Sequence, residues 1–347
     1  SKVINLTMKK ILIIKLGALG DVVRTLPILP ALKDKFPDSE VYWLTKENAL
    51  EIFEENPYVK KVLTTKEKLA EKFDILYNFD IEEEALTFAN EIKADKKYGF
   101  YSDSGYAAAF NFKAQYYLDT IFDDELKKSN KKTYQEMMFE VAELKYKKQH
   151  CPIYLNEKDK EYAEEFVKSN NLKTEKLIGI HMGAAARWPS KTWAKERLNE
   201  FIIKTKKKGC EIIVFAGPDE IEKLEKLVGE LKKDSIKVYT NNPANTIKQF
   251  ASLANLCKII ICSDSLALHI SLALKKPTIA LFFCTSPNEI EDYGLLKKIV
   301  SPLLYDFFPE KQDQYSEKLV NSISADEVLK AVEEIKNSNH SKLWGIF

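Results

Sequence analysis

The chain has 347 residues, room for two domains of ordinary size, and its 45% hydrophobic and 30% charged side chains are the balance of a globular protein, not a disordered one. A formal net charge of +1 gives no global field to attract nucleic acid, and a lysine run such as Lys206 to Lys208 reads as a solvated helix face. No apolar run approaches the roughly 18 residues of a membrane span; no signal peptide is read at the start, and five cysteines without a CxxC pair predict buried, reduced thiols in a cytoplasmic protein.

Met8, followed by Lys9 and Lys10, reads as a natural start, with Ser1 to Thr7 an alternative start or an added segment. Ile11 to Ile14 then form a short β-branched apolar run, the pattern of a strand covered on both faces. It enters the turn Gly17-Ala-Leu-Gly20-Asp21, and Val22, Val23, Leu26, Ile28 and Leu29 begin a helix. In an open α/β sheet this turn is where ligands bind. A dinucleotide fold needs GxGxxG and an acid after the second strand; here there are two glycines, and the strand Val41 to Leu44 runs into Thr45 and Lys46. A P-loop needs GxxxxGK[ST], which the chain lacks. What remains is a carboxylate beside flexible backbone, either a helix cap or a general base approaching a polar substrate such as a sugar.

Further strand-like runs fall near residues 40–45, 61–64, 74–79 and 97–101, with a helical stretch over 82–92. This alternation predicts a parallel sheet with helices on its faces. Residues 133–147 predict an amphipathic helix carrying Tyr134, Met137, Met138, Val141 and Leu144 on its core side. A linker over 150–156, containing Pro152, closes a first domain of residues 1–150. The second domain, 151–347, repeats the theme with strands over 177–181, 211–216, 236–239, 258–262 and 278–283. Two such units create a cleft able to close on a substrate and exclude water. A last helix over 325–336 is expected to pack back on the first domain, and the tail beyond it has no clear pattern.

Three loops of the second half follow strands and carry groups suited to a nucleotide diphosphate. In His181-Met-Gly-Ala-Ala-Ala-Arg187-Trp188-Pro189-Ser190-Lys191, the small residues leave backbone amides accessible, and Arg187 and Lys191 can neutralise phosphate oxygens. Arg187 can equally form a surface salt bridge, and Trp188 is read as a packing residue. In Gly217-Pro218-Asp219-Glu220 one acid can cap the following helix or accept a ribose hydroxyl. In Ser263-Asp264-Ser265-Leu-Ala-Leu-His269, Ser265 lies at a helix N-terminus that favours an anion; Asp264 alone reads as a cap and His269 alone as a core histidine. No DxD pair follows a strand, and four scattered histidines offer no zinc spacing, so no metal is expected. Charge on a leaving group would fall to Arg187, Lys191 and helix amides.

With these residues in place the chain resembles glycosyltransferase family 9, the bacterial ADP-heptose lipopolysaccharide heptosyltransferases. The resemblance rests on Lys15, Gly20, Asp21, Thr25 and Pro27, then Arg187-Trp188-Pro189, Gly217-Pro218-Asp219-Glu220, and Asp264-Ser265 with His269, in that order along nearly the whole chain. It implies a GT-B fold of two Rossmann-like domains facing each other across a cleft. It also implies metal-independent, inverting transfer of heptose from ADP-heptose to a lipid A inner-core hydroxyl, without a cofactor, at the inner face of the cytoplasmic membrane. By that similarity Asp21 is the base, Arg187 and Lys191 stabilise departing ADP, Glu220 holds the ribose, and Asp264, Ser265 and His269 line the diphosphate and sugar site. Lys15 steers an anionic acceptor. The sequence departs from the family at Leu266, where glycine is usual, and at Ala186, where many members carry a basic residue. A nucleotide-sugar epimerase, distinguished by conversion without acceptor, and a noncatalytic nucleotide-sugar-binding protein are the competing readings.

Overall fold

The computed structural model describes residues 8–184 and 186–338, so the reading of Ser1 to Thr7 and most of the tail lies outside the described residues. The chain divides into two units. One runs to Tyr154 and takes in Asn288–Glu291; the other spans Leu155–Pro287 and resumes at Asp292.

The first unit holds strands β1 (Lys9–Ile14), β2 (Ser39–Thr45), β3 (Lys61–Thr64), β4 (Phe73–Asn78), β5 (Ala94–Asp103) and β6 (Tyr106–Ala109), in the order β3-β2-β1-β4-β5-β6. Five strands are parallel and β6 pairs antiparallel with β5. Its helices are α1 (Leu19–Thr25), α2 (Ile28–Lys35), α3 (Glu83–Glu91), α4 (Gln115–Phe122), α5 (Asp124–Ser129) and α6 (Tyr134–Val141). Central β1 is hydrogen-bonded on both sides, Ile11 opposite Val41 and Ile75, and Ile11 to Ile14 are fully buried, each contributing on the order of 1.5–3 kcal/mol. The helix expected over 133–147 is shorter. A Thr133/Glu136 capping box starts α6, and Glu143, at a φ of 53°, turns the chain away just after it.

The second unit holds β7 (Leu177–His181), β8 (Glu211–Phe215), β9 (Tyr239–Thr240), β10 (Ile259–Ser263), β11 (Thr278–Phe282) and β12 (Leu296–Val300), all parallel, in the order β12-β11-β10-β7-β8-β9. Its helices are α7 (Glu157–Asn170), α8 (Lys195–Lys207), α9 (Ile221–Lys233), α10 (Ile247–Leu256), α11 (Leu266–Ala273), α12 (Leu304–Phe307), α13 (Glu317–Val320) and α14 (Ala325–Asn337). Gly179 in β7 is required by packing, because a Cβ there would lie 2.7–2.8 Å from Ile260, Cys257 and Phe215. The strand expected over 236–239 shrinks to Tyr239–Thr240 because the preceding residues cap α9: Ser235 is left-handed and the Ile236 amide donates to the Leu231 carbonyl. The last helix, expected to return to the first domain, instead buries Ala325, Val328, Ala331 and Val332 in the second unit's core beside Leu198 and Phe201.

Both sheets share one strand order. In each, the chain leaves the first strand toward one edge and later crosses to the other side of it, so a crevice opens between the first and fourth strands, where such sheets hold ligands. Among the described residues no helix is long and apolar enough to cross a membrane, and all five cysteines are buried without a disulfide.

Candidate functional site

In the first unit the crevice lies between the ends of β1 and β4. The β1 end is fixed by the Lys15 amide on the Leu44 carbonyl and by the Phe79 amide on the Ile14 carbonyl. Asp21 follows in the first turn of α1. It is not the helix cap: that position is Ala18, with no side-chain cap bond. The Asp21 carboxylate instead meets Arg24 one turn on, whose Nη2 and Nε lie 2.7 and 2.8 Å from Oδ1. Arg24 in turn stacks on Tyr134, its guanidinium carbon 3.8 Å from the ring centre. Thr25 joins the same group, its hydroxyl donating to the Asp21 carbonyl at 2.6 Å and lying 2.8 Å from the Tyr134 hydroxyl. About a third of the Asp21 side chain remains exposed, so the carboxylate is both oriented and reachable.

Lys15 lies beneath this turn, not on the surface. It is 5% exposed, with Nζ 3.5 Å from Asp80 Oδ2 and 3.4 Å from the Phe79 carbonyl. Burial disfavours its charge, yet the neighbouring Tyr134, Asp80, Asp21 and Tyr117 outweigh that and raise its pKa above the usual lysine value. Asp80, Arg24 and Tyr134 escaped the sequence reading as site residues. Asp80 had a usable signal, an acid directly after an apolar strand at the switch point; Tyr134 had none, since its helical spacing marks it as core.

In the second unit the same crevice lies between the ends of β7 and β10. There Lys191 Nζ donates to the Asp264 carbonyl at 3.0 Å and lies 3.4 Å from its Oδ2, and His269 Nε2 stands 3.9 Å from Asp264 Oδ1. Asp264 therefore links two predicted donor-site groups and does not cap α11. The cap position is Ser265, whose hydroxyl donates to the Ser263 carbonyl and makes no side-chain cap bond to the first amides of α11. Leu266 is the first residue of that helix.

Glu220 belongs to a second cluster. Its Oε2 accepts the Gly217 amide at 2.8 Å, and its carboxylate fills the space beside Gly183, where a Cβ would come within 2.6–2.8 Å of it. Glu220, Asp219, His181, Ser263 and Trp188 line one cavity of about 500 Å³, with Ile180, Ile261 and Leu281 among its apolar walls. Trp188, read from the sequence as a packing residue, is a wall of this cavity, with the Arg187 guanidinium carbon 4.7 Å from its ring centre. Arg187 is exposed and is not part of that lining.

His181 Nδ1 donates to the Gly183 carbonyl at 3.1 Å, and burial pushes its pKa down to about 4. The ring therefore stays neutral in the folded protein, whereas an unfolded histidine charges near pH 6.5. Between those values the unfolded chain holds the extra proton, so stability should rise with pH from about 4 to 6.5, by up to about 3 kcal/mol. Urea titrations of wild type and His181→Asn across that window should differ by this slope; parallel curves would remove His181 as its source.

Among the described residues no group of three His, Cys, Asp or Glu side chains is placed to hold a metal ion. Two doubly wound units, each with charged loops at its switch point, make the architecture of the GT-B fold. Residues 62–320 match glycosyltransferase family 9 (heptosyltransferase), and the chain belongs to that family. It is 25% identical to lipopolysaccharide heptosyltransferase 1 of Campylobacter coli over 94% of this chain and 98% of that protein. The crystal structure of the glycosyl transferase family 9 protein from Veillonella parvula superposes with a TM-score of 0.75 at 21% identity, covering 94% of this chain and 97% of that one. The E. coli ADP-heptose lps heptosyltransferase II superposes at 0.68 with 16% identity, covering 94% and 98%.

Proposed function

We propose that this enzyme transfers heptose from ADP-heptose to a hydroxyl of the lipopolysaccharide inner core, with inversion at the anomeric carbon and without a metal. The observation that carries this reading is the Lys191, Asp264 and His269 assembly at the head of α11, a site for the departing diphosphate, in a chain that aligns end to end with a lipopolysaccharide heptosyltransferase. An acceptor hydroxyl attacks the anomeric carbon opposite the diphosphate while the bond to the leaving oxygen breaks. Asp21 takes the hydroxyl proton. Lys191, Arg187 and the first amides of α11 receive the charge that develops on ADP, with Ser265 and His269 beside it. Glu220 accepts the ribose hydroxyls. Lys15, buried below the acceptor turn and paired with Asp80, has its charge compensated there and does not serve to steer an anionic acceptor. Work at the cytoplasmic face, with peripheral contact to the membrane that carries a lipid A acceptor, belongs to the same reading.

Purified protein with ADP-heptose and a Kdo-lipid A acceptor should release ADP at the same rate with and without EDTA, and NMR of the product should give the anomer opposite to the donor's. Release that EDTA abolishes would sink metal independence; retention of the donor's anomeric configuration would sink single displacement.

Gly183 tests the ribose assignment. A methyl group in Gly183→Ala collides with the Glu220 carboxylate, which must leave the Gly217 amide. Losing one such contact should raise KM for the donor about 2- to 10-fold, with kcat little changed. An unchanged KM would release Glu220 from that role.

A further inference from the structure

The first unit's crevice contains a group that the proposed chemistry does not use. Asp80 is 2% exposed, just beyond the end of β4. Oδ2 accepts the amides of Leu16 and Gly17 at 2.9 and 3.3 Å and lies 3.5 Å from Lys15 Nζ; Oδ1 accepts the Glu82 amide at 3.0 Å. One carboxylate thus ties the end of β4 to the first residues of the turn that carries Asp21. It also meets the buried ammonium nearest the base's own surroundings.

We propose that Asp80 is the positioning residue of the base: it fixes the backbone of Leu16 and Gly17 and absorbs the charge of Lys15 before that charge reaches Asp21. This rests on the reading of Asp21 as base. The physical reason is that a base held between two uncompensated cations would bind a proton weakly. Around Asp21 stand Arg24 on its own helix, Lys15 at the end of β1, Tyr134 on α6 and Tyr117 on α4, with Asp80 behind Lys15. Of these, Arg24 is paired directly with Asp21, while Lys15 has Asp80 as its ion-pair partner. Asp80 makes this division by geometry. Its Oδ2 takes the lysine and the two turn amides together, so moving the charge and moving the turn are one event.

Asp80→Asn keeps an oxygen for the Leu16 amide but leaves Lys15 without its anion. Carbon-13 NMR of labelled aspartate, with the Asp21 signal assigned from Asp21→Asn, reads the proton affinity of Asp21 without any assay of transfer. In Asp80→Asn the Asp21 midpoint should fall by about one pH unit, and the acid limb of kcat/KM should move with it. kcat at neutral pH should fall on the order of tenfold, with KM for the donor unchanged. In Lys15→Met/Asp80→Asn, where both charges are gone, the midpoint should return close to the wild-type value. An Asp21 midpoint unmoved in Asp80→Asn, or unrestored in the double variant, overturns the proposal.

Should Asp80→Asn fail to fold, Lys15→Met and Lys15→Met/Asp80→Asn decide it. The carboxylate of Asp80 must then hold the Asp21 midpoint higher in the first variant than in the second, and equal midpoints overturn the proposal. A wild-type protein that releases no ADP would defeat the transfer reading alone, because the carbon-13 titration still decides the role of Asp80.

Discussion

Asp21→Asn is expected to lower kcat by about 10² to 10⁴, the range in which a positioned general base contributes. The substitution is close to isosteric. An amide oxygen can still accept from Arg24, and Thr25 bonds to the backbone carbonyl of residue 21 and not to its side chain, so α1 and its packing on Tyr134 should survive. What is lost is a site for the acceptor proton. The proposed donor groups Lys191, Asp264, His269 and Glu220 belong to the second unit. Calorimetric affinity for ADP should therefore change by less than about twofold, and the loss should appear in kcat and kcat/KM together. Turnover within about threefold of wild type would exclude Asp21 as the base.

Lys15→Met should cost the protein about 3 to 5 kcal/mol of stability, because it leaves a buried carboxylate whose ion-pair partner is gone. The Leu16, Gly17 and Glu82 amides still support Asp80, which places the expectation toward the lower end. Removing both charges in Lys15→Met/Asp80→Asn should recover part of the loss, since an unpaired buried charge costs more than a neutral pair. The change in the urea midpoint of the first unfolding transition reads both variants, and a double-mutant cycle gives the coupling. A single variant as stable as wild type would mean that water reaches Asp80 and that the pair is not sealed.

Much of this fold is legible in the sequence because it is local. The run Ile11 to Ile14 can only be a strand buried on both faces, and the repeated alternation of short apolar runs with helical patterns implies a doubly wound parallel sheet, twice. The elements missed were those without such a pattern. β6 is Tyr-Ala-Ala-Ala at the edge of its sheet and β12 is partly exposed, whereas β9 was expected but is short because its neighbours cap α9. The loops carrying Arg187, Glu220 and Asp264 were found because each follows a strand, where a ligand-binding turn must lie.

The charge partners distant in sequence were not legible. Asp21 with Arg24 is a pair one helical turn apart and was within reach. Lys15 with Asp80 is 65 residues apart, and only the placement of β4 beside β1 brings them together. The same holds for Lys191 with Asp264 and for Glu220 against Gly183, each made by neighbouring strands of the second sheet. Backbone pattern and turn chemistry act within a few residues, so the chain alone determined the two sheets, the Asp21 turn and the family to which the protein belongs. Ion pairs and burial depend on which strand lies beside which. Tertiary structure alone therefore decided that Lys15 is buried, that Arg24 is stacked on Tyr134 beside Asp21, and that Asp80 stands behind the turn.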